Sequence, residues 1–484
     1  MDIPFVGRSI ELALLGKRLA RVTSSGAGSA IAIRGRRQVG KSRLVQEFCD
    51  QSHVPYLYFT AIKGASPVEA VASLYADLRD STLPSDPDLV PTQSSGSWPD
   101  AFRVLASVLP AAPAILVLDE VPWLTEQDGL FDGALQAAWD RLLSKRPLFL
   151  LLLGSDLHMM ERLTSYDRPF YGRADNLLLG PLDPAETGSI IGLSGADAID
   201  AHLVSGRLPG ILRAWPHGTP ALPFIEAECT DPASPLFGVP EVALMAEFPA
   251  PDQARRVLEA VGDGDRTFAN IAAAAGSRDG ALPSGSLSPL LSRLVEEKRV
   301  LALDQPLSIQ PGKPGLYRIA DSNLRLYVGV LRAAQEQTRR GLSEAAIRLV
   351  QRRWTAWRGR AVEPLIRESL MLAALTGALP WPDTEVVGGW WNRQFNPELD
   401  LVGADRAPVA QRVHFVGSIK WLGTPFDGHD LAALRHDAVC VPGFTPNGTG
   451  LVVVSLSGVV PNLDRGAGPL VWSPQDVVDA WRGR

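Results

Sequence analysis

The sequence predicts an α/β protein built on a parallel sheet, followed by a second, smaller α/β pattern. Three observations lead there. Apolar β-rich runs alternate with helical patterns through the first 180 residues. One strand-to-helix turn reads Gly35-Arg36-Arg37-Gln38-Val39-Gly40-Lys41-Ser42, the phosphate-cradling pattern GxxxxGK[ST]. A new succession of helix and strands then starts near residue 358. The length of 484 residues allows two to four domains, and 46% apolar with 21% charged residues is ordinary for a folded domain protein.

Phe5-Val6-Gly7-Arg8 precedes an amphipathic helical pattern over 9–22, with Leu12, Leu15 and Leu19 on one face and Ser9 as a possible N-cap. Ala30 to Ile33 is an apolar strand that enters the Gly35 to Ser42 turn, and Arg43 to Phe48 continues as a helix. Glycines let backbone N–H groups close around phosphate oxygens, and the helix N-terminus adds favourable partial charge. Lys41 can reach the β- and γ-phosphates, and the Ser42 hydroxyl can ligate Mg²⁺. Pro55 to Phe59 reads as a second strand, 67–79 and 98–109 as helices, and 81–99 as a Pro- and Ser-rich loop or insertion.

Ala114 to Leu118 is a fully apolar strand ending in Asp119-Glu120. The C-terminal ends of parallel strands face the ligand crevice. Asp119 would reach the Mg²⁺ shell there, and Glu120 would orient or deprotonate an attacking water. Read alone, the segment is equally a strand ending in a polar turn. Residues 129–143 form a helical pattern, and Pro147 to Leu153 is another buried strand, closed by Gly154-Ser155. Ser155 either senses the γ-phosphate or caps the helix that follows, 156–163. A fifth strand is expected at 176–179.

Residues 181–241 read as a small helical lid, with Ser205-Gly206-Arg207-Leu208-Pro209-Gly210 inside it. Over 242–320 three helices (255–261, 267–275 and 286–297) precede two short strands, 300–303 and 316–319. That order is a winged helix-turn-helix, whose third helix normally reads DNA. Arg293, Lys298 and Arg299 are offset by Glu296 and Glu297, so a purely structural role stays open. Residues 321–357 are a basic helical connector. Nine Arg against three Glu give 332–367 a net charge of +6, and Trp354 and Trp357 stand among Arg352, Arg353, Arg358 and Arg360. The stretch either faces phosphates or packs by its tryptophans as a solvated helix.

In 358–484 a helix carrying Glu363 precedes a Trp-rich strand, 384–392. Next comes Glu398-Leu399-Asp400, whose two carboxylates share a strand face. A strand over 414–420 with Ser418 and Lys420, a helix over 431–436 and a strand over 451–454 complete a restriction-endonuclease-like order. Carboxylates converging from a helix and adjacent strands can hold Mg²⁺, and a lysine can orient water.

The net charge of −6 carries no global mark of nucleic-acid binding, so any such surface is local. Cys49, Cys229 and Cys440 are far apart and have no metal spacing, which fits buried structural thiols in a reducing cytoplasm. No basic-then-apolar leader opens the sequence, and no apolar run approaches the ~20 residues that span a bilayer.

Residues 1–240 resemble the archaeal-type AAA+ ATPases, close to the STAND class of signal-transduction NTPases. The resemblance rests on Phe5 to Arg8 with Glu11, the Gly35 turn, Leu118-Asp119-Glu120, Leu153-Gly154-Ser155, and Tyr171-Gly172-Arg173 before Leu179-Gly180-Pro181-Leu182. From about residue 245 onward the chain is similar to the downstream part of that family, a winged helix and a PD-(D/E)xK nuclease-like domain of unknown function. The resemblance implies ATP and Mg²⁺ as cofactors, with ATP between the sheet and the lid. It implies nucleotide contacts from Val6, Gly7, Arg8, Gly35, Arg36, Arg37, Gln38, Val39, Gly40, Lys41, Ser42, Arg43 and Pro209, and metal contacts from Ser42 and Asp119. Glu120 would be the hydrolytic base, Ser155 a sensor and Arg173 a transition-state arginine. Glu363, Glu398, Asp400, Ser418 and Lys420 would form the nuclease-like site, with Ser418 standing where the pattern has a carboxylate. A hydroxyl is a poor replacement for a carboxylate on a hard dication. The implied partners are double-stranded DNA, a protein partner or a second copy of the chain.

Overall fold

The computed structural model describes Phe5 and residues 7–35, 39–84, 86–93, 96–155, 157–163, 165–166, 168–206, 208–247, 253–264, 266–276, 280–312, 314–461, 463 and 468–482. It divides into two compact units, Met1–Leu182 and Asp183–Arg484.

The first unit is a five-stranded parallel sheet in an α/β arrangement. Its strands are β1 (Ser29–Arg34), β2 (Tyr56–Thr60), β3 (Ala114–Asp119), β4 (Leu148–Gly154) and β5 (Asp175–Leu178), in the order β2-β3-β4-β1-β5. β3 and β4 are buried at every position. Successive residues point to opposite faces, so one strand serves two cores. Ala30, Ala32, Leu116, Leu118, Leu150 and Leu152 pack on one side with Trp98, Phe102 and Phe131. Ile31, Ile33, Ile115, Val117, Leu151 and Leu153 pack on the other with Leu44, Val45 and Phe48 of the helix Lys41–Ser52. The five expected strands all form. A short helix, Val121–Gln127, follows β3 directly and was absent from the sequence reading.

The second unit joins segments far apart in the chain. The helices expected as a lid bond directly to elements much further along. Asn323 Nδ2 donates to the Val204 carbonyl at 2.8 Å, Thr338 Oγ1 to that of Cys229 at 2.9 Å, and the Gly195 N–H to Gln475 Oε1 at 3.0 Å. The divisions expected at 241, 320 and 357 therefore fall inside one compact unit. Helices Gln253–Asp263, Phe268–Ala274 and Ser284–Ser292 precede an antiparallel pair, β6 (Leu301–Asp304) and β7 (Leu316–Ile319). The loop between β6 and β7 docks on a second sheet. That sheet holds β8 (Val386–Trp391), β9 (Glu398–Ala404), β10 (Val413–Lys420), β11 (Gly450–Ser455) and β12 (Leu470–Trp472), in the order β12-β11-β10-β9-β8. Leu307 donates its N–H to the Gly389 carbonyl at 2.9 Å and packs with Trp390 and Leu399, and Trp391 Nε1 donates to the Pro314 carbonyl at 2.7 Å. β8, β9 and β10 pair antiparallel, whereas β10, β11 and β12 pair parallel. β12 and the last helix, Pro474–Arg482, extend the sheet beyond what the sequence reading placed.

The basic stretch is one helix over Arg332–Arg339 and a long one over Ser343–Leu375. Trp354 and Trp357 are buried and stacked on each other at 5.4 Å. Arg332, Arg339, Arg340, Arg348, Arg358 and Arg367 each pair with a carboxylate of the same unit. Glu259, Glu241 and Asp200 come from outside the stretch, so half of its net charge of +6 is offset within the fold. Cys49 and Cys229 are buried but Cys440 is exposed, a correction to the expectation of three buried thiols. Among the described residues, no helix is long and apolar enough to cross a membrane.

Asp200 and Arg358 form a buried pair at 2.6 Å. Burial outweighs the attraction of Arg358 and pushes the Asp200 carboxyl from 3.8 up to about 6. A carboxyl raised in the folded state contributes stability that is full below its unfolded value and is lost as pH rises through the folded one. Denaturant melts from pH 4 to 7 should therefore show the wild type losing up to about 3 kcal/mol relative to Asp200→Asn over that window.

Candidate nucleotide site and C-terminal cavity

The end of β1 leads to Gly35, where an added Cβ would meet the Leu179 carbonyl oxygen at 2.7 Å. Gly40 has φ +94°, a conformation that L side chains rarely adopt, and directly precedes the helix Lys41–Ser52. Those two glycines let the chain turn back over itself and aim the helix N-terminus at the loop. Lys41 is 5% exposed. Its ammonium donates to the Gly35 carbonyl at 2.7 Å and to Ser155 Oγ at 3.2 Å. Ser155 in turn donates to Glu120 Oε1 at 2.7 Å. Glu120 has φ +56°, so the expected base sits on a strained left-handed residue at the start of the helix Val121–Gln127.

Ser42 Oγ donates to Asp119 Oδ2 at 2.8 Å, and the Glu120 N–H donates to Asp119 Oδ1 at 2.8 Å. A hydroxyl and a carboxylate oxygen side by side at a phosphate-binding turn suit a small hard cation. Mg²⁺ takes only one or two protein oxygens when phosphates and water supply the rest. The residues fit the group.

Other expected nucleotide contacts are placed differently. Val6, Arg36, Arg37 and Gln38 lie outside the described residues. Gly7 and Arg8 both have positive φ. Arg8 is buried, and its guanidinium reaches the Val39 carbonyl at 3.2 Å, the Gly180 carbonyl at 2.7 Å and Glu11 at 3.1 Å. It clasps the phosphate turn to the chain leaving β5. Val39 is buried, and Arg43 pairs with Glu47 one turn along its own helix. Pro209 opens the helix Pro209–Ala214 in the second unit. Arg173 is not joined to the Lys41–Ser155–Glu120 group. It forks onto Asp140 through Nε and Nη2, both at 2.8 Å, and Nη1 donates to the Pro169 and Tyr171 carbonyls. A structural salt bridge accounts for Arg173 as it stands, and a charge-stabilising role would need it to leave Asp140.

In the second unit Glu363, Glu398, Asp400, Ser418 and Lys420 line one cavity of about 410 Å³, together with Trp421 and Asp430. The long helix supplies Glu363, β9 the next two, and β10 Ser418 and Lys420. Asp400 Oδ2 accepts the Ile419 N–H at 2.8 Å and the Ser418 hydroxyl at 3.1 Å. Burial raises the Glu363 and Asp400 carboxyls above their usual range. Arg367 lies 3.3 Å from Glu363 and Arg266 lies 3.4 Å from Glu398. Lys420 pairs with Asp430. Among the described residues, no group of three or more His, Cys, Asp or Glu is placed to hold a metal ion. Asp430 and Arg266 escaped the sequence reading. Asp430 is the third residue of a capping box on Asp427, a signal present in the sequence one residue before the expected helix.

Residues 4–151 match the AAA ATPase domain family, and residues 327–426 match a family described as archaeal and bacterial proteins of unknown function. No curated protein matches the sequence. Among solved structures, a Walker-type ATPase of Pyrococcus abyssi is similar at 19% identity and TM-score 0.47, over 67% of this chain and 96% of that one. The Aeropyrum pernix ORC2 protein is similar at 12% identity and TM-score 0.44, over 70% and 96%. The Aeropyrum pernix ORC1 protein, solved in complex with DNA, is similar at 17% identity and TM-score 0.33, over 72% and 95%. With an AAA ATPase domain over residues 4–151, the chain binds and hydrolyses ATP.

Among the described residues Arg8 joins Val39, Gly180 and Glu11. Arg8→Ala should lower stability by about 2–3 kcal/mol, the scale of lost charge-assisted hydrogen bonds, and Arg8→Lys should recover only part of it, read by thermal melting.

Proposed function

We propose that the chain is a nucleotide-driven switch of the AAA+/STAND type, in which ATP turnover in residues 1–182 sets the state of a DNA- or partner-facing C-terminal half. The observation that carries this reading is the shared hydroxyl of Ser155, between Lys41 at 3.2 Å and Glu120 at 2.7 Å. Lys41 binds the terminal phosphates, so gain or loss of the γ-phosphate alters the partners of the residue that also holds Glu120. Glu120 orients and deprotonates the attacking water, and Ser155 keeps its carboxylate aimed. Ser42 and Asp119 would hold Mg²⁺, which would offset charge on the β- and γ-phosphates. Segments held by a γ-phosphate and released on hydrolysis are a recurring switch design.

In the second unit the helices before β6 and the β6–β7 pair have the order of a winged helix-turn-helix. With the loop between β6 and β7 docked on the second sheet, contact with DNA falls to the helix Ser284–Ser292. Its exposed face carries Ser286, Ser288 and Ser292, with Arg293 just beyond it.

A second reading makes residues 358–484 a Mg²⁺-dependent DNA nuclease. One observation favours it, the gathering of Glu363, Glu398, Asp400, Ser418 and Lys420 around one cavity. Ser418 in place of a carboxylate, Arg266 on Glu398 and Arg367 on Glu363 weigh against cutting.

ATP turnover should fall at least ~10²-fold in both Lys41→Ala and Glu120→Gln, with nucleotide binding lost in the first and kept in the second. Turnover unchanged by both would end the switch reading. Incubated with linear and supercoiled DNA and either Mg²⁺ or Mn²⁺, the wild type should leave both intact. Cleavage that vanishes in Asp400→Ala and Lys420→Ala would replace the first reading by the second.

A further inference from the structure

Tyr58 lies in the middle of β2, paired with Val117 of β3. Side chains two apart on a strand share a face, and Tyr56 and Tyr58 both turn to the side packed by the helix Lys41–Ser52. Tyr56 ends on that helix at Gln46 and Asp50. Tyr58 ends elsewhere. Its hydroxyl donates to Asp119 Oδ2 at 2.8 Å, the same oxygen that accepts the Ser42 hydroxyl at 2.8 Å. The other oxygen, Oδ1, accepts the Glu120 N–H at 2.8 Å. Three donors from three elements therefore orient one carboxylate.

We propose that Tyr58 is a positioning residue for the divalent-cation site, holding the Asp119 carboxylate in place beside Ser42 as the cation binds. This rests on the reading of Ser42 and Asp119 as the residues that hold Mg²⁺. The Ser42 hydroxyl has one proton. A cation is bound by a lone pair of its oxygen and leaves that proton donated to Asp119 Oδ2, so Ser42 then serves both the cation and the carboxylate, and Tyr58 is the donor on that oxygen that serves the carboxylate alone. Without it Oδ2 loses one of its two side-chain donors and the carboxylate is held less firmly, and ordering it again opposes cation binding. Packing needs no hydroxyl here, since a phenylalanine ring fills the same volume.

The test is the affinity of a fluorescent ATP analogue, measured in Mg²⁺ and in EDTA, for the wild type, Tyr58→Phe and Asp119→Asn. The wild type should bind more tightly with Mg²⁺, and Asp119→Asn should lose most of that gain. Tyr58→Phe should lose about 10-fold of it, the low end of the scale typical of outer-shell metal partners, with EDTA affinity and thermal midpoint unchanged. Full Mg²⁺ enhancement in Tyr58→Phe, beside its loss in Asp119→Asn, overturns the proposal. Enhancement retained in Asp119→Asn instead overturns the cation-site reading beneath it. Should Tyr58→Phe not fold, Tyr58→Gln, which keeps an N–H donor, is compared with Tyr58→Leu. Equal loss in the two would show a packing role only, and a smaller loss in the glutamine variant supports the positioning role.

Discussion

Burying the Lys41 ammonium is the constraint on which the nucleotide site depends. A lysine that is 5% exposed must find oxygen partners inside the fold. Among the described residues they are a backbone carbonyl of the turn itself, at Gly35, and the Ser155 hydroxyl at the end of β4. The first needs a turn tight enough to bring residue 35 back to residue 41, which the left-handed Gly40 allows. The second needs β4 beside β1, and the order β2-β3-β4-β1-β5 places it there, with β3 on the far side of β4. Glu120, just past β3, then meets Ser155, just past β4. One buried charge thus ties together the ends of three parallel strands, and the sheet order is what makes those ends neighbours.

Much of this was legible in the chain because parallel strands buried on both faces are near-continuous apolar runs. Ile31 to Ile33, Ile115 to Leu118 and Phe149 to Leu153 have no polar interruption, and Asp119, Glu120 and Ser155 fall immediately after them. The helix Val121–Gln127 was hidden because its first residues follow a left-handed Glu120, a conformation no sequence pattern announces for a glutamate. Tyr58 was hidden for another reason. A tyrosine in a strand reads as core, and only the register that sets Tyr58 opposite Val117 brings its hydroxyl to Asp119. Arg8 belongs with it. The motif around it could be read as a nucleotide contact, but a guanidinium spanning residues 39 and 180 is visible only after folding.

The second unit was legible element by element and not as an assembly. Its helices and strands largely have the expected kinds, yet the bonds that unite it run between residues more than a hundred positions apart, such as Val204 with Asn323 and Cys229 with Thr338. Composition misleads there as well. A run with net charge +6 suggests a phosphate-facing helix, but helices at other positions in the sequence supply Glu241, Glu259 and Asp200 to its arginines. Charge counted along a sequence measures binding potential only where the partner carboxylates are local, and here several are not.

The two carboxylate-bearing sites differ in how their cations are spent. At the nucleotide turn, the partners of Lys41 among the described residues are a carbonyl and a hydroxyl, which an incoming phosphate, bearing full negative charge, outcompetes. Asp119 is ordered by three neutral donors, which orient a carboxylate without cancelling its charge, so it still attracts a cation. In the C-terminal cavity the balance is reversed. Arg266 faces Glu398, Arg367 faces Glu363, Lys420 faces Asp430, and burial already disfavours the charged forms of Glu363 and Asp400. A dication entering there must displace guanidinium groups from carboxylates while gaining, at Ser418, only a hydroxyl. Similar residue types are gathered at both sites, but the first leaves its charges available to ligands and the second closes them on one another. That difference separates the nucleotide site of the first unit from the carboxylate cavity of the second.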